Sequence, residues 1–97
     1  MFAVIFEDDP AKLEVRQREM AAHIAWLDRH RGRVLVGGSL RAGADATPVG
    51  GLWIVEAESA ADVEALYKTD PFWSSGLRAK VTIREWRKAF PERRTPI

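Results

Sequence analysis

Four apolar, β-favouring runs are interleaved with two helical stretches inside only 97 residues, and that order limits the fold more than any other feature of the chain. Residues 2–7 are apolar and β-favouring, and Asp8-Asp9-Pro10 closes the run with turn and helix-start chemistry. From Pro10 to about His30 no further Gly or Pro interrupts, and Leu13, Gln17, Met20, Ile24 and Leu27 fall on one helical stripe, so the spacing predicts a first helix that Gly32 ends. An extended run follows from Arg33 through Gly37-Gly38 to Leu40, and another over residues 51–56. Between them, Gly43, Asp45, Thr47 and Pro48 mark a mobile hairpin loop. Ser59 and Asp62 have capping-box spacing, and Val63, Leu66 and Tyr67 give a second helix to about Lys68. Asp70-Pro71 stops it, because a residue before proline is pushed out of the helical region, and Pro71 can open a further short turn. Residues 79–86 supply the last strand, and residues 91–97 form an extended tail beyond a domain of residues 1–90.

The order βαββαβ in this length predicts an α+β, ferredoxin-like fold, a four-stranded antiparallel sheet with both helices on one face. Strand alternation places Phe2, Val4 and Phe6 on one side and Ala3 and Ile5 on the other; Trp53 and Val55 likewise oppose Leu52 and Ile54. Two helices cover one side only. The second, still partly apolar, side calls for a partner, and a homodimer joined through the sheet face is the simplest closure.

The hydrophobic share of 46% with 30% charged residues describes one globular domain, and the absence of cysteine excludes disulfides and thiolate metal sites. The opening apolar segment lacks a basic lead and meets Glu7-Asp8-Asp9 far short of a signal-peptide core or a membrane span. The expectation is a cytoplasmic protein without a membrane partner. The formal charge of +1 is far from that of a dedicated nucleic-acid binder, although residues 78–97 hold seven basic and two acidic side chains against eight and twelve in the remainder. The RNA-recognition motif shares the βαββαβ order but needs a basic-Gly-aromatic pattern on its third strand, where this chain has Gly50-Gly51-Leu52-Trp53. Nucleic acid is therefore not an expected partner.

Few residues can carry chemistry. His23 and His30 share an azimuth on the first helix, but an axial rise of roughly 10 Å keeps them from one metal ion, and no metal site is expected. His23 is placed at the rim of the helix stripe, either as a boundary histidine without a task or as a proton carrier, imidazole ordinarily titrating at about 6.5. Asp70 is either the N-cap of the turn at Pro71 or the carboxylate that orients an imidazole. Ser39 stands in half of a nucleophile elbow, but Arg41 replaces the final glycine, so serine nucleophile chemistry is not supported. The glycines before it suit a bulge or a close backbone approach. Phe72 and Trp73, beside Asp70, could wall a pocket. No glycine-rich phosphate loop is present and no cofactor is expected.

Read together, Phe2-Ala3-Val4-Ile5-Phe6, His23-Ile24-Ala25-Trp26-Leu27, the run from Gly32 to Gly38, Asp70-Pro71-Phe72 with Gly76-Leu77, and Ile83-Arg84-Glu85-Trp86 resemble the YCII-related (YciI-like) family of small dimeric α/β-barrel proteins. The resemblance spans about residues 1–90, with Gly38-Ser39 departing from the Gly-Pro common there. It implies ferredoxin-like protomers joined sheet to sheet and His23 and Asp70 as the catalytic pair acting on a small substrate, aromatic by analogy; Ser39, Phe72 and Trp73 are the residues expected to bind it. By analogy with the family's dehydrochlorinase and with muconolactone isomerase, it implies acid–base lyase or isomerase chemistry without a cofactor; the alternative is a non-catalytic homodimer that binds or senses a small ligand.

Overall fold

A computed structural model describes residues 1–97. Strands β1 (Phe2–Asp8), β2 (Val34–Leu40), β3 (Gly50–Val55) and β4 (Arg78–Glu85) form one antiparallel sheet in the order β2-β3-β1-β4, crossed by helices α1 (Leu13–Arg29), α2 (Ala60–Tyr67) and the single turn α3 (Pro71–Ser74). This is the α+β, ferredoxin-like arrangement. The two central strands, β1 and β3, pair Val4 with Trp53 and Ile5 with Leu52, which puts side chains of like direction opposite one another.

The side of the sheet facing the helices is built from Val4, Phe6, Trp53 and Val55, all buried, with Trp26 of α1 and Val63, Leu66 and Tyr67 of α2 packed over them. Aromatic edges lock this layer: Phe6 meets Trp53 at 4.7 Å and Tyr67 at 5.7 Å, and Trp26 stacks on Trp53 at 5.3 Å. A smaller cluster of Val15, Phe72 and Leu77 ties α1 to α3. After β4 no further helix or strand follows, and the chain runs on to Ile97 in turns and irregular backbone.

The first helix differs from its expected form in two ways. Pro10–Lys12 make a separate 3-10 turn, capped by Asp9, whose carboxylate accepts from the Ala11 amide, before α1 begins at Leu13. The helix is also rotated: Val15, His23 and Trp26 are its buried residues, whereas Leu13, Met20 and Ile24 of the expected stripe are exposed. At 100° per residue the buried face is centred roughly 130° from that stripe. Trp26 decides the rotation. An indole removes about 150–250 Å² from water, more than a methionine or isoleucine offers, and this one also donates from Nε1 to Thr69 Oγ1 at 2.9 Å. His23 therefore sits on the inward face of the helix and not at the rim.

Candidate active site

The rotation of α1 aims His23 at the start of α3. Its Nδ1 lies 2.7 Å from Asp70 Oδ1, and the aspartate side chain is only 1% exposed. A carboxylate can only accept, so Nδ1 carries the donated proton and Nε2 is left as the free nitrogen. The same Oδ1 accepts the Phe72 amide at 3.2 Å, making Asp70 the N-cap of α3 as well. The two readings open for this residue in the sequence are not exclusive: the cap fixes the carboxylate, and the fixed carboxylate holds the imidazole. Pro71 contributes by starting the turn with its φ already set, so that the Phe72 amide points back at Asp70.

The imidazole is held in plane by its neighbours. Phe72, fully buried, lies parallel to it at 3.8 Å and 8°, and Trp53 lies beyond at 6.5 Å. Trp73, by contrast, packs on Tyr67 at 4.6 Å and does not line the cleft, so Phe72 alone of the two supports the pair. His30 is likewise separate, stacked on Trp26 at 4.2 Å with Nδ1 bonded to the Trp26 carbonyl oxygen.

His23 opens onto a cleft of about 220 Å³ between α1 and the β2–β3 edge of the sheet. One wall is the outward stripe of α1 with Met20, Ile24 and Leu27; the floor is Gly37, Gly38 and Trp53, and Ser39 lines the far side. A Cβ on Gly37 would lie 3.2 Å from the Trp53 ring, so glycine there lets strand and indole approach closely. The volume is below the roughly 300–1,000 Å³ of sites for drug-sized ligands, which suits a molecule of about one ring. A second depression of about 370 Å³ lies around Pro10, Leu13 and Val49 and contains no histidine.

At the inner end of the cleft is a cluster that the sequence did not single out. Asp8, at the end of β1, accepts from Arg16 Nη2 at 2.6 Å and from Arg78 Nη1 at 2.7 Å, with all three side chains largely withdrawn from water. The Arg78 guanidinium lies 4.5 Å over the Phe6 ring. Burial lowers the Arg78 pKa, and Asp8 opposes that shift. Asp8 reads locally as a turn residue, and its partners are 8 and 70 positions away. The one local signal is the seven-residue spacing from Arg16 to His23, which sets both on one helix face.

The YCII-related domain matches residues 1–87 of the chain. No curated protein matches it. Among solved structures, the chain is similar to 5-chloro-2-hydroxyhydroquinone dehydrochlorinase (TftG) from Burkholderia phenoliruptrix AC1100, in complex with 2,5-dihydroxybenzoquinone. The identity is 33%, the TM-score is 0.78, and the match covers 90% of this chain and 94% of that one.

Proposed function

The chain belongs to the YCII-related family, and from that premise we propose that it is a small enzyme in which His23 moves a proton on a single-ring substrate while Asp70 holds its tautomer. The observation that carries this reading is the 2.7 Å contact between Nδ1 and a capped, buried carboxylate, which leaves Nε2 as the nitrogen able to work in the cleft. In the reaction, Nε2 takes a proton from a C–H or O–H bond of the substrate. The electron pair left behind forms a new π bond and expels a leaving group such as chloride in a lyase, or is reprotonated elsewhere in an isomerase. Asp70 stabilises the imidazolium until the proton is released. No electrons enter or leave, so the step needs no redox cofactor. The likeness to a dehydrochlorinase bound to a dihydroxybenzoquinone supports a hydroxylated six-membered ring as substrate. Ser39 and Phe72 keep supporting roles, one at the cleft wall and the other under the imidazole.

We also propose that two copies associate through the open face of the sheet, where Ile5, Val36, Leu40 and Leu52 are 36–44% exposed, and that the protein works in the cytoplasm. No helix is long and apolar enough to cross a membrane.

The test is a mass-spectrometric turnover assay over chlorinated and non-chlorinated hydroxyhydroquinones, comparing wild type with His23→Ala of equal secondary structure. Turnover of at least one compound is expected, falling roughly 10²–10⁴-fold in the variant. Unchanged turnover in His23→Ala overturns the assignment, and ligand binding without turnover in either protein turns the reading to a non-catalytic binder.

A further inference from the structure

The charges around the cleft are arranged asymmetrically. Arg16, Arg41, Arg78 and His23 line it, and no aspartate or glutamate does. Asp70 is on the Nδ1 side of the imidazole, and Asp8 lies beneath the two guanidiniums that it bridges. One carboxylate thus serves two buried cations. Neither Nε of Arg16 nor Nε of Arg78 has a partner, and Arg78 uses only Nη1 on Asp8. Arg41, at the exposed rim, is bonded to Ser39 Oγ at 2.7 Å. A buried guanidinium that uses one of its five N–H donors, as Arg78 does, carries a desolvation cost that a ligand of opposite charge would offset. The lowered pKa of Arg78, caused first by burial, is the sign of that imbalance. Gly51 fits the same picture, since a Cβ there would lie 3.1 Å from Arg78 Nη2 and crowd the donor.

We infer that the cleft is built for an organic anion of about one ring, whose charged oxygen is held by Arg16 and Arg78 while the rest of the ring lies against Ile24 and Leu27 beside His23. Asp8 is the positioning residue that keeps both guanidiniums in place. The inference rests on the cleft being the ligand site, as proposed above, but not on His23 being catalytic. It adds the charge of the ligand and the residues that read it. It also gives proton transfer a direction: an anionic ligand next to His23 favours the imidazolium formed when Nε2 takes a proton.

The test uses benzoate and benzamide, which have nearly the same shape and differ in charge, titrated calorimetrically into the full-length protein. Benzoate is expected to bind wild type roughly 10- to 100-fold more tightly than benzamide, the range of a charge-assisted contact, and to weaken as salt is raised. Arg16→Gln, the more exposed and hence more replaceable of the pair, should erase the discrimination while keeping the melting transition. The readout is binding and not turnover, so charge discrimination in a protein that turns nothing over supports this inference while overturning the catalytic reading. Equal affinities in wild type, no binding of either probe, or discrimination surviving in folded Arg16→Gln overturns the inference. Should Arg16→Gln fail to fold, Arg16→Lys serves: it keeps the charge but not the planar fork, so a preference for benzoate that persists at reduced strength supports the inference and an unchanged one overturns it.

Discussion

The two faces of the sheet both carry apolar residues, yet differ in what they are made of: the open one also bears Thr82 and Arg84 of β4, opposite Ile5 and Ala3. On the helix side, Phe6 and Trp53 interlock with Trp26 and Tyr67, and every one of these rings is at most 4% exposed. On the other side, Ile5, Val36, Leu40 and Leu52 are short aliphatic side chains that remain 36–44% exposed, with Ile54 nearly buried among them. Adjacent residues of one strand show the contrast best, Leu52 at 37% and Trp53 at 1%. Alternation alone assigns residues to faces. The size and aromatic character of the residues then tell which face the helices cover, because large rings contribute most when fully enclosed. The aliphatic side chains of the open face are the ones proposed above to meet a second copy.

The sharpest way to break the contrast is to truncate on each side in turn. Trp53→Ala should cost about 3–5 kcal/mol of unfolding free energy, since it empties a space bounded by Phe6, Trp26 and Gly37. Leu52→Ala should cost the protomer about 1 kcal/mol or less, its side chain being incompletely enclosed there. Urea denaturation at matched concentration measures both; equal losses would remove the distinction between a core face and a docking face.

A second test charges the open face without touching the core. Leu52→Asp places a carboxylate on a surface proposed to meet its own copy, where burying like charges costs on the order of 2–3 kcal/mol of association energy. Sedimentation at low micromolar concentration should show wild type at twice the 10.9 kDa chain mass and the variant at the chain mass, with helix and strand content unchanged. A wild type that sediments at the chain mass defeats the dimer proposal outright.

The same contrast explains what could be read from the chain. Strand order and the facing of Val4 against Ile5, or Trp53 against Leu52, follow from period two, which tertiary packing cannot alter without unpairing the sheet. The cap at Ser59 and the stop at Asp70-Pro71 are equally local, and Ser59 Oγ does accept the Asp62 amide at 3.1 Å. The rotation of α1 was not legible. Leu13, Met20 and Ile24 compete with Val15 and Trp26 for the core, and periodicity counts apolar residues without weighing an indole above a thioether. Periodicity alone therefore puts His23 at the rim, whereas its contact with Asp70 requires the inward face. The Asp8–Arg16–Arg78 cluster was invisible for a different reason: each member reads as an ordinary charged residue, and only the closure of β1 against β4 brings them together.

The smallest effect expected belongs to the covered face, where it measures how completely that face excludes water. Tyr67, the chain's one tyrosine, has its pKa raised above the usual 10.0, first by burial and then by the Glu64 carboxylate, with Lys68 acting the other way. A phenol that ionises later in the folded state than in the unfolded one binds its proton more tightly when folded. Its stabilising contribution is therefore complete below pH 10.0 and is lost as pH rises through the folded value. Lys68, whose pKa is raised by its hydrogen bond to Glu64, acts in the same direction, so stability alone does not isolate the tyrosine. Phenolate absorbance does, because no other tyrosine contributes. The titration of the folded protein should be displaced to higher pH than that of the protein in urea. Tyr67→Phe should make the alkaline loss of stability shallower but not abolish it, while Leu52→Ala, on the open face, should leave the phenolate curve of the folded state unmoved. A folded-state curve that coincides with the denatured one would mean that water reaches the Tyr67 hydroxyl freely, and that the helix-covered layer is less closed than its aromatic packing implies.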